Sequence, residues 1–330
     1  MKLDFNHNTL FQKLVELKEN HHPVFDYKDH EISGVPYRIF NYNLANYKSF
    51  TLDASLECRG ITFEIDENGN YIKLVSLPMQ KFFNYNENPF TEGLENEKIS
   101  IAMDKRDGSL MSTCLINGKI HLKSKGAFFS DQAVAANKLL ETLPELEQAL
   151  LKYELSGHTV NLEYTAPNNQ IVLLYKEAEL SILNVRSRDN GDYLPFKSIE
   201  APKENIVDIL EEYEGMTLGE FSELVYPMTE IEGFVVMTEG GYWVKFKTNW
   251  YCERHNAVSK FSPFGRKGRK ELINSVLEER VDDIRQLLID NKFMLDIVDT
   301  VEQFVVDYME DVDNTINTFL DNNINLETRY

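Results

Sequence analysis

The dipeptide Asn117-Gly118 constrains this chain more than any other feature. It stands between Leu110 to Ile116 and Lys119 to Lys125, two segments of strand-like composition. A two-residue hairpin turn needs positive φ at both central residues, and Asn-Gly meets that need at little cost. The turn also sets the register, so Ser112 should face Lys123 and Leu110 should face Lys125. The loop Asp104-Lys105-Arg106-Asp107-Gly108 then enters the hairpin where Lys125 leaves it. Two lysines, Lys105 and Lys125, are expected to converge. Neighbouring cations lower a lysine's pKa, which is one way a lysine becomes a nucleophile near neutral pH. Taken alone, the pair also fits two ordinary exposed lysines at a strand end.

The same antiparallel texture recurs along the chain. Ile61 to Ile65 and Tyr71 to Val75 flank the turn-rich Asp66-Glu67-Asn68-Gly69-Asn70. Further strands are expected at Val160 to Tyr164, Ile171 to Tyr175 and Leu180 to Val185. Residues 8–20 read as a helix, with Leu10, Leu14, Val15 and Leu17 near a 3.6 period, and 131–153 read as helix again. After about residue 252 the strand texture ends, and Glu271 to Asp290 and Lys292 to Leu320 read as amphipathic helices. The expected class is α+β, with one domain over 1–252 and a small all-α domain over 253–330.

Phe234 to Thr238 and Tyr242 to Lys247 form another hairpin around Glu239-Gly240-Gly241. Its turn is either Glu239-Gly240 or Gly240-Gly241. Both registers put Glu232, Lys245 and Lys247 on one face, and a three-residue loop would break this. A face with one carboxylate and two lysines is expensive to bury with nothing bound. An anion with a metal would satisfy it, as would simple exposure to solvent.

Charge narrows the classes further. The chain has 34 Lys+Arg against 54 Asp+Glu, a net charge of −20, so no broad basic face is expected. Only the local patch meets a ligand, however. Residues 281–330 carry twelve acids against Arg285, Lys292 and Arg329, and Arg266-Lys267-Gly268-Arg269-Lys270 precedes them as a basic cluster. The acidic run reads as a solvated helical face, with Asp282-Asp283 as surface carboxylates or a second divalent-ion site. Three separated cysteines exclude a disulfide framework and a Cys-based zinc site, and fit a reducing cytosol. No apolar run approaches the roughly 18 residues of a membrane span, and Met1 to His7 lacks an apolar signal region. A cytoplasmic protein without membrane partners is therefore expected. His21-His22 reads as loop, and there is no P-loop, Rossmann glycine pattern or Ser-His-Asp constellation.

Lys105-Arg106-Asp107-Gly108 has the K-x-D-G form of the covalent nucleotidyltransferases, the polynucleotide ligases and mRNA capping enzymes. Glu163 in Asn161-Leu162-Glu163-Tyr164, then Glu232-Gly233-Phe234-Val235-Val236, then Lys245-Phe246-Lys247 resemble that superfamily's later motifs, in order. Glu57-Cys58-Arg59-Gly60, Pro78-Met79-Gln80-Lys81-Phe82-Phe83-Asn84 and Lys123-Ser124-Lys125-Gly126 complete the pattern. The run over about 40–255 resembles the bacteriophage T4 RNA ligase 1 type of ATP-dependent RNA ligase. Arg106 departs from it, since an acid commonly follows the lysine there.

The resemblance implies a nucleotidyltransferase domain of ATP-grasp-like antiparallel sheets with helices, plus an all-α C-terminal domain. It implies ATP and Mg²⁺, with Mn²⁺ as a substitute, and a monomer joining 5′-phosphate to 3′-hydroxyl RNA ends. Cleaved tRNA anticodon loops and repair in phage-infected cells belong to that picture. Lys105 would be the nucleophile, through lysyl-AMP. Lys245 and Lys247 would clamp the α-phosphate, while Glu232 and Glu163 would hold the metal. Arg59 and Lys81 would meet the triphosphate or the RNA 5′-phosphate, and Lys125 would lie near the nucleotide. Arg186 and Arg188 are either substrate contacts or part of a surface strand. A DNA ligase, a capping guanylyltransferase and a silent RNA-binding relative are the alternatives. Nothing after Lys247 reads as the β-rich domain that the first two append.

Overall fold

A computed structural model describes residues 5–43, 45–278 and 280–322. The chain divides into two compact units. One is Met1–Gln170 with Tyr175–Thr248, and the other is Ile171–Leu174 with Asn249–Tyr330.

The first unit opens with α1 (His7–His21), whose N-cap Asn6 side chain accepts from the Thr9 amide. His21 closes this helix instead of standing in a loop. Leu10, Phe11, Leu14 and Leu17 press α1 onto a sheet ordered β1 (Phe25–Ile32), β2 (Val35–Tyr42), β3 (Ile61–Ile65) and β4 (Tyr71–Ser76). The sequence reading missed β1. It is an edge strand, and its run Lys28-Asp29-His30-Glu31 carries the charge that keeps an edge from pairing with other chains.

Next come β5 (Phe83–Asn84), β6 (Ile99–Asp104), β7 (Ser109–Ile116) and β8 (Lys119–Lys123). The expected helix over 131–153 is two helices, α2 (Asp131–Leu140) and α3 (Pro144–Leu155). Pro144 has no amide proton to continue a helix, but it suits the first turn of a new one. Then follow β9 (His158–Thr165), β10 (Glu179–Ser187), α4 (Leu218–Val225), β11 (Gly233–Thr238) and β12 (Trp243–Lys247). The second sheet runs β10-β9-β7-β8, with α2 and α3 packed on it. The third runs β5-β12-β11-β6, with α4 packed on it, and only β12 and β5 are parallel.

The expected strand at 171–175 does not form, and Ile171–Leu174 belong to the helical unit. Four consecutive apolar residues carry no period, so they do not distinguish a strand from a packed loop. The rest of that unit is α5 (Asn249–Lys260), α6 (Arg266–Leu277), α7 (Val281–Leu287) and α8 (Lys292–Asn322). The single helix expected over 271–290 is thus α6 and α7. The helices close on Ala257, Phe261, Leu272, Ile284, Leu288 and Val298. Among the described residues no helix is long and apolar enough to cross a membrane.

The two hairpins behave differently. Asn117 and Gly118 take φ of 50° and 76°, and Ser112 pairs with Lys123 as expected. That ladder ends at Lys123, and Leu110 pairs instead with Glu163 of β9. In β11–β12, Gly233 pairs with Lys247 and Val235 with Lys245. Both expected registers are therefore wrong by one residue. The loop is the three-residue form, closed by Gly241 at φ 81°.

Candidate active site

Lys105 follows the end of β6, and its amide donates to the Gly233 carbonyl at 3.0 Å. The strand next to it, β11, is preceded by Glu232. In the observed register, simple alternation would turn Glu232 away from Lys247. Gly233 prevents this with a φ of 138°, and a Cβ there would stand 2.0 Å from the Phe246 carbonyl oxygen. Strand alternation fails across such a residue. Glu232 Oε1 consequently lies 2.7 Å from Lys105 Nζ and 3.0 Å from Lys247 Nζ. The expected juxtaposition of Glu232 and Lys247 holds, but for a different reason.

Around this triad stand cations supported by aromatic rings. Lys245 Nζ lies 4.6 Å from the centre of Phe82, and the Arg59 guanidinium is 5.7 Å from that ring. Lys81 rests over Phe83 at 4.9 Å, and Lys125 over Tyr42 at 4.2 Å. A ring face offers a cation partial compensation without a counter-charge. Burial lowers the pKa of Lys81 and of Lys125, and Arg59 lowers both further. Lys245 is held well below its ordinary value by burial, then by Arg59, Lys81, Lys105 and Lys247. The cation crowding expected at Lys105 is therefore centred on Lys245. The group that touches Lys105 is a carboxylate, and the charged neighbour of Lys125 is Arg59.

Glu163 projects from the middle of β9, between Leu110 of β7 and Ser181 of β10. Burial pushes its carboxyl up to about 7; Lys105 opposes that shift and Glu232 adds to it. All eight residues singled out for this site thus lie on one connected set of neighbours.

Other residues build the frame. Arg186 and Arg188 brace the frame, and Arg186 is buried instead of lying on a surface strand. Arg186 is fully buried and bonds both oxygens of Glu57 at 2.7 Å, and Arg188 pairs with Glu154 at 2.7 Å. Glu57 also accepts from the Gln80 side chain at 2.7 Å, so one carboxylate ties the Arg59 turn to the Lys81 loop. Lys123, also fully buried, donates to the Gly60 carbonyl at 2.5 Å. Gly60 has φ 93°, and a Cβ there would come 2.7 Å from the Lys125 carbonyl oxygen. The signal for Lys123 was present, since alternation from Ser112 marks an inward position. No sequence signal paired Glu57 with Arg186, which lie 129 residues apart. Arg106 pairs with Glu179 and lies over the Tyr175 ring at 5.3 Å, while the Tyr175 hydroxyl accepts from the Asp107 amide at 2.9 Å.

The donor set fits an anion held with a divalent cation. Clustered cations with depressed proton affinity call for negative charge. Glu232 Oε2 is buried with no hydrogen-bond partner, and burial raises the Glu163 carboxyl despite Lys105 and Arg59 nearby. Among the described residues no three His, Cys, Asp or Glu side chains are grouped to hold a metal. Glu163 and Glu232 would therefore supply part of a Mg²⁺ shell, with water and substrate oxygens as the rest. Asp282 belongs to the first turn of α7 and pairs with Arg285 at 3.4 Å on the helix surface.

A sequence model of a family described as RNA ligase matches residues 57–251. A protein of Thermovibrio ammonificans provisionally named an RNA ligase is 29% identical over 266 residues, 78% of this chain and 66% of that protein. RNA ligase 1 of bacteriophage TS2126 is 26% identical over 248 residues, 71% of this chain and 59% of the phage protein. The chain thus spans somewhat under two thirds of these relatives' lengths. An archaeal ATP-dependent RNA ligase structure shares the fold, with a TM-score of 0.53 and 12% identity over 92% of this chain and 82% of that one. The family match covers more than half of the chain, which therefore belongs to the RNA ligase family.

Proposed function

We propose that the chain is an ATP-dependent RNA ligase that joins 5′-phosphate to 3′-hydroxyl RNA ends. The carrying observation is Lys105 Nζ held 2.7 Å from Glu232, with Lys247 on the same carboxylate oxygen. In the first step the Lys105 amine bonds to the α-phosphorus of ATP and the bond to pyrophosphate breaks. The amine must lose its proton, and Glu232 is the group within reach to accept it. Lys245 and Lys247 balance the charge that gathers on the phosphoryl oxygens. The AMP then passes to a 5′-phosphate RNA end held by Arg59 and Lys81, with Lys125 beside the nucleotide. Attack by a 3′-hydroxyl seals the strand and releases AMP. A Mg²⁺ or Mn²⁺ ion at Glu163 and Glu232 would supply Lewis-acid polarisation of the phosphates.

Broken single-stranded loops, such as a cleaved tRNA anticodon loop, are the proposed ends. The helical unit, with Arg266 to Lys270 at the start of α6, is proposed to select among them. The test is incubation with Mg²⁺ and ATP or GTP labelled on the α-phosphate. Label from ATP, lost in Lys105→Ala, supports the reading. Label from GTP would move the chain to capping chemistry. No label would leave an RNA-binding protein. Lys105→Ala should still seal pre-adenylylated RNA, since that step needs no lysine nucleophile.

A further inference from the structure

Beside the cations lies a cavity of about 190 Å³, with Lys81 in its wall, whose aromatic side the chemistry above leaves unused. Phe82, Phe83, Phe90, Tyr193, Tyr242 and Trp243 line it. Phe83 and Phe90 stack at 4.9 Å between centres, and Trp243 lies 5.5 Å from Tyr193 and 6.2 Å from Phe82. An aromatic cluster of this kind ordinarily closes over itself in a core. This one stays open, with Tyr242 46% exposed beside the three-residue loop of the β11–β12 hairpin.

Phe82 is common to both neighbourhoods. Lys245 and Arg59 approach its ring at 4.6 and 5.7 Å, and the same ring borders the cavity with Trp243. One side chain therefore separates a place for a phosphate from a place for a flat ring. A nucleotide offers those two groups at that short separation. Bases of single-stranded RNA stack on aromatic side chains whatever their hydrogen-bonding edge. Of the neutral polar side chains nearby, Gln80 donates to Glu57, the Tyr193 hydroxyl accepts from the Gln80 amide and Thr91 donates to the Asn84 carbonyl, while Lys81 is a cation suited to a phosphate and not to a base edge. Such a wall grips a base without reading its identity.

Building on the ligase reading, we propose that this cavity holds the base of the RNA nucleotide whose 5′-phosphate is held by Arg59 and Lys81, the latter itself lining the cavity, stacked against Trp243 and Tyr242. The phosphate is the one that receives AMP, so the stack would fix the acceptor of the second step.

The test uses full-length protein already carrying labelled AMP. It is mixed with either of two 5′-phosphorylated RNAs, identical except that the first nucleotide of one is abasic. Transfer of AMP to the abasic RNA should be slower by roughly tenfold, the scale of one base–aromatic stack. Changing the first base from one kind to another should matter far less. Trp243→Ala should reduce that tenfold ratio towards one, and Trp243→Phe should keep it. Equal rates for the two RNAs on the wild-type protein would overturn the proposal, and that comparison needs no variant to fold. A ratio of one, together with a Trp243→Ala rise in KM for ATP, would give the cavity to the adenine of ATP instead. A failure of the ligase reading shows earlier, as protein that takes no label.

Discussion

The two hairpins that frame the site use lysine in opposite ways. In β7–β8, Lys123 is wholly buried and spends its charge on the Gly60 carbonyl beneath the Arg59 turn. In β11–β12, Lys247 meets a carboxylate and Lys245 a ring face, and both belong to the proposed phosphate site. One hairpin buries a cation to hold a loop in place. The other keeps its cations half-compensated and so ready for a ligand. The residue type is the same, and the support beneath it decides the role.

Four experiments would break or sharpen this contrast. The largest effect is expected at Gly233, where an alanine Cβ would run into the Phe246 carbonyl oxygen. Gly233→Ala should lose several kcal/mol of stability and all detectable protein adenylylation. A variant that takes label at the wild-type rate would remove Gly233 from the account of how Glu232 reaches Lys247.

Lys123 comes next. Burial brings its pKa down to about 8, from 10.5 in the unfolded chain. The unfolded state therefore binds more protons between those values, and stability should rise with pH across that window. Against Lys123→Met, the wild-type protein should gain about 3 kcal/mol between pH 8 and 10.5, read from urea midpoints. Parallel pH curves for the two proteins would mean the buried ammonium is not strained.

Glu163 tests the half-compensated side with the opposite sign. Its carboxyl titrates near 7 when folded against 4.5 when unfolded. Its contribution is fully present below pH 4.5 and is lost as pH rises through 7. Ligand-free Glu163→Gln should thus exceed the wild type by up to about 3 kcal/mol at pH 8 and match it near pH 4.5. Equal stabilities at pH 8 would show that Lys105 and Arg59 fully offset the burial of Glu163. The smallest effect belongs to Gly118→Ala. Its Cβ meets open space, and only the φ of 76° is unfavourable, so about 1 kcal/mol should be lost with labelling unchanged.

Legibility followed the same division. Asn117-Gly118 admits one tight turn, so the Ser112–Lys123 register could be read from the residues. Glu239-Gly240-Gly241 admits three, because either glycine can take the positive φ, and the register that forms is the three-residue loop, not either of the two-residue turns. Even so, Glu232, Lys245 and Lys247 lie close together as the motif implies, since the motif does not depend on register. Helix boundaries failed where punctuation was overlooked, as at Pro144. The frame residues were the least visible. Glu57 lies in the β2–β3 connection of the first sheet and Arg186 within β10 of the second, and only the folded chain brings a buried acid and a buried base together.

On the proposed function, the ring-supported cations have a consequence for the rate at which RNA arrives. The chain as a whole carries −20, whereas the site itself is locally positive. At 0.1 M salt a strand farther away than about 10 Å is largely shielded from both fields. In dilute buffer the long-range field dominates, and it repels a polyanion. The first additions of salt should then speed encounter by damping that repulsion. Further salt should slow it, as ions compete for the phosphate contacts. Most nucleic-acid binders only lose association rate as salt is added. This one should pass through a maximum, which makes ionic strength a tuning variable for how often an end is met, separate from how firmly it is then held.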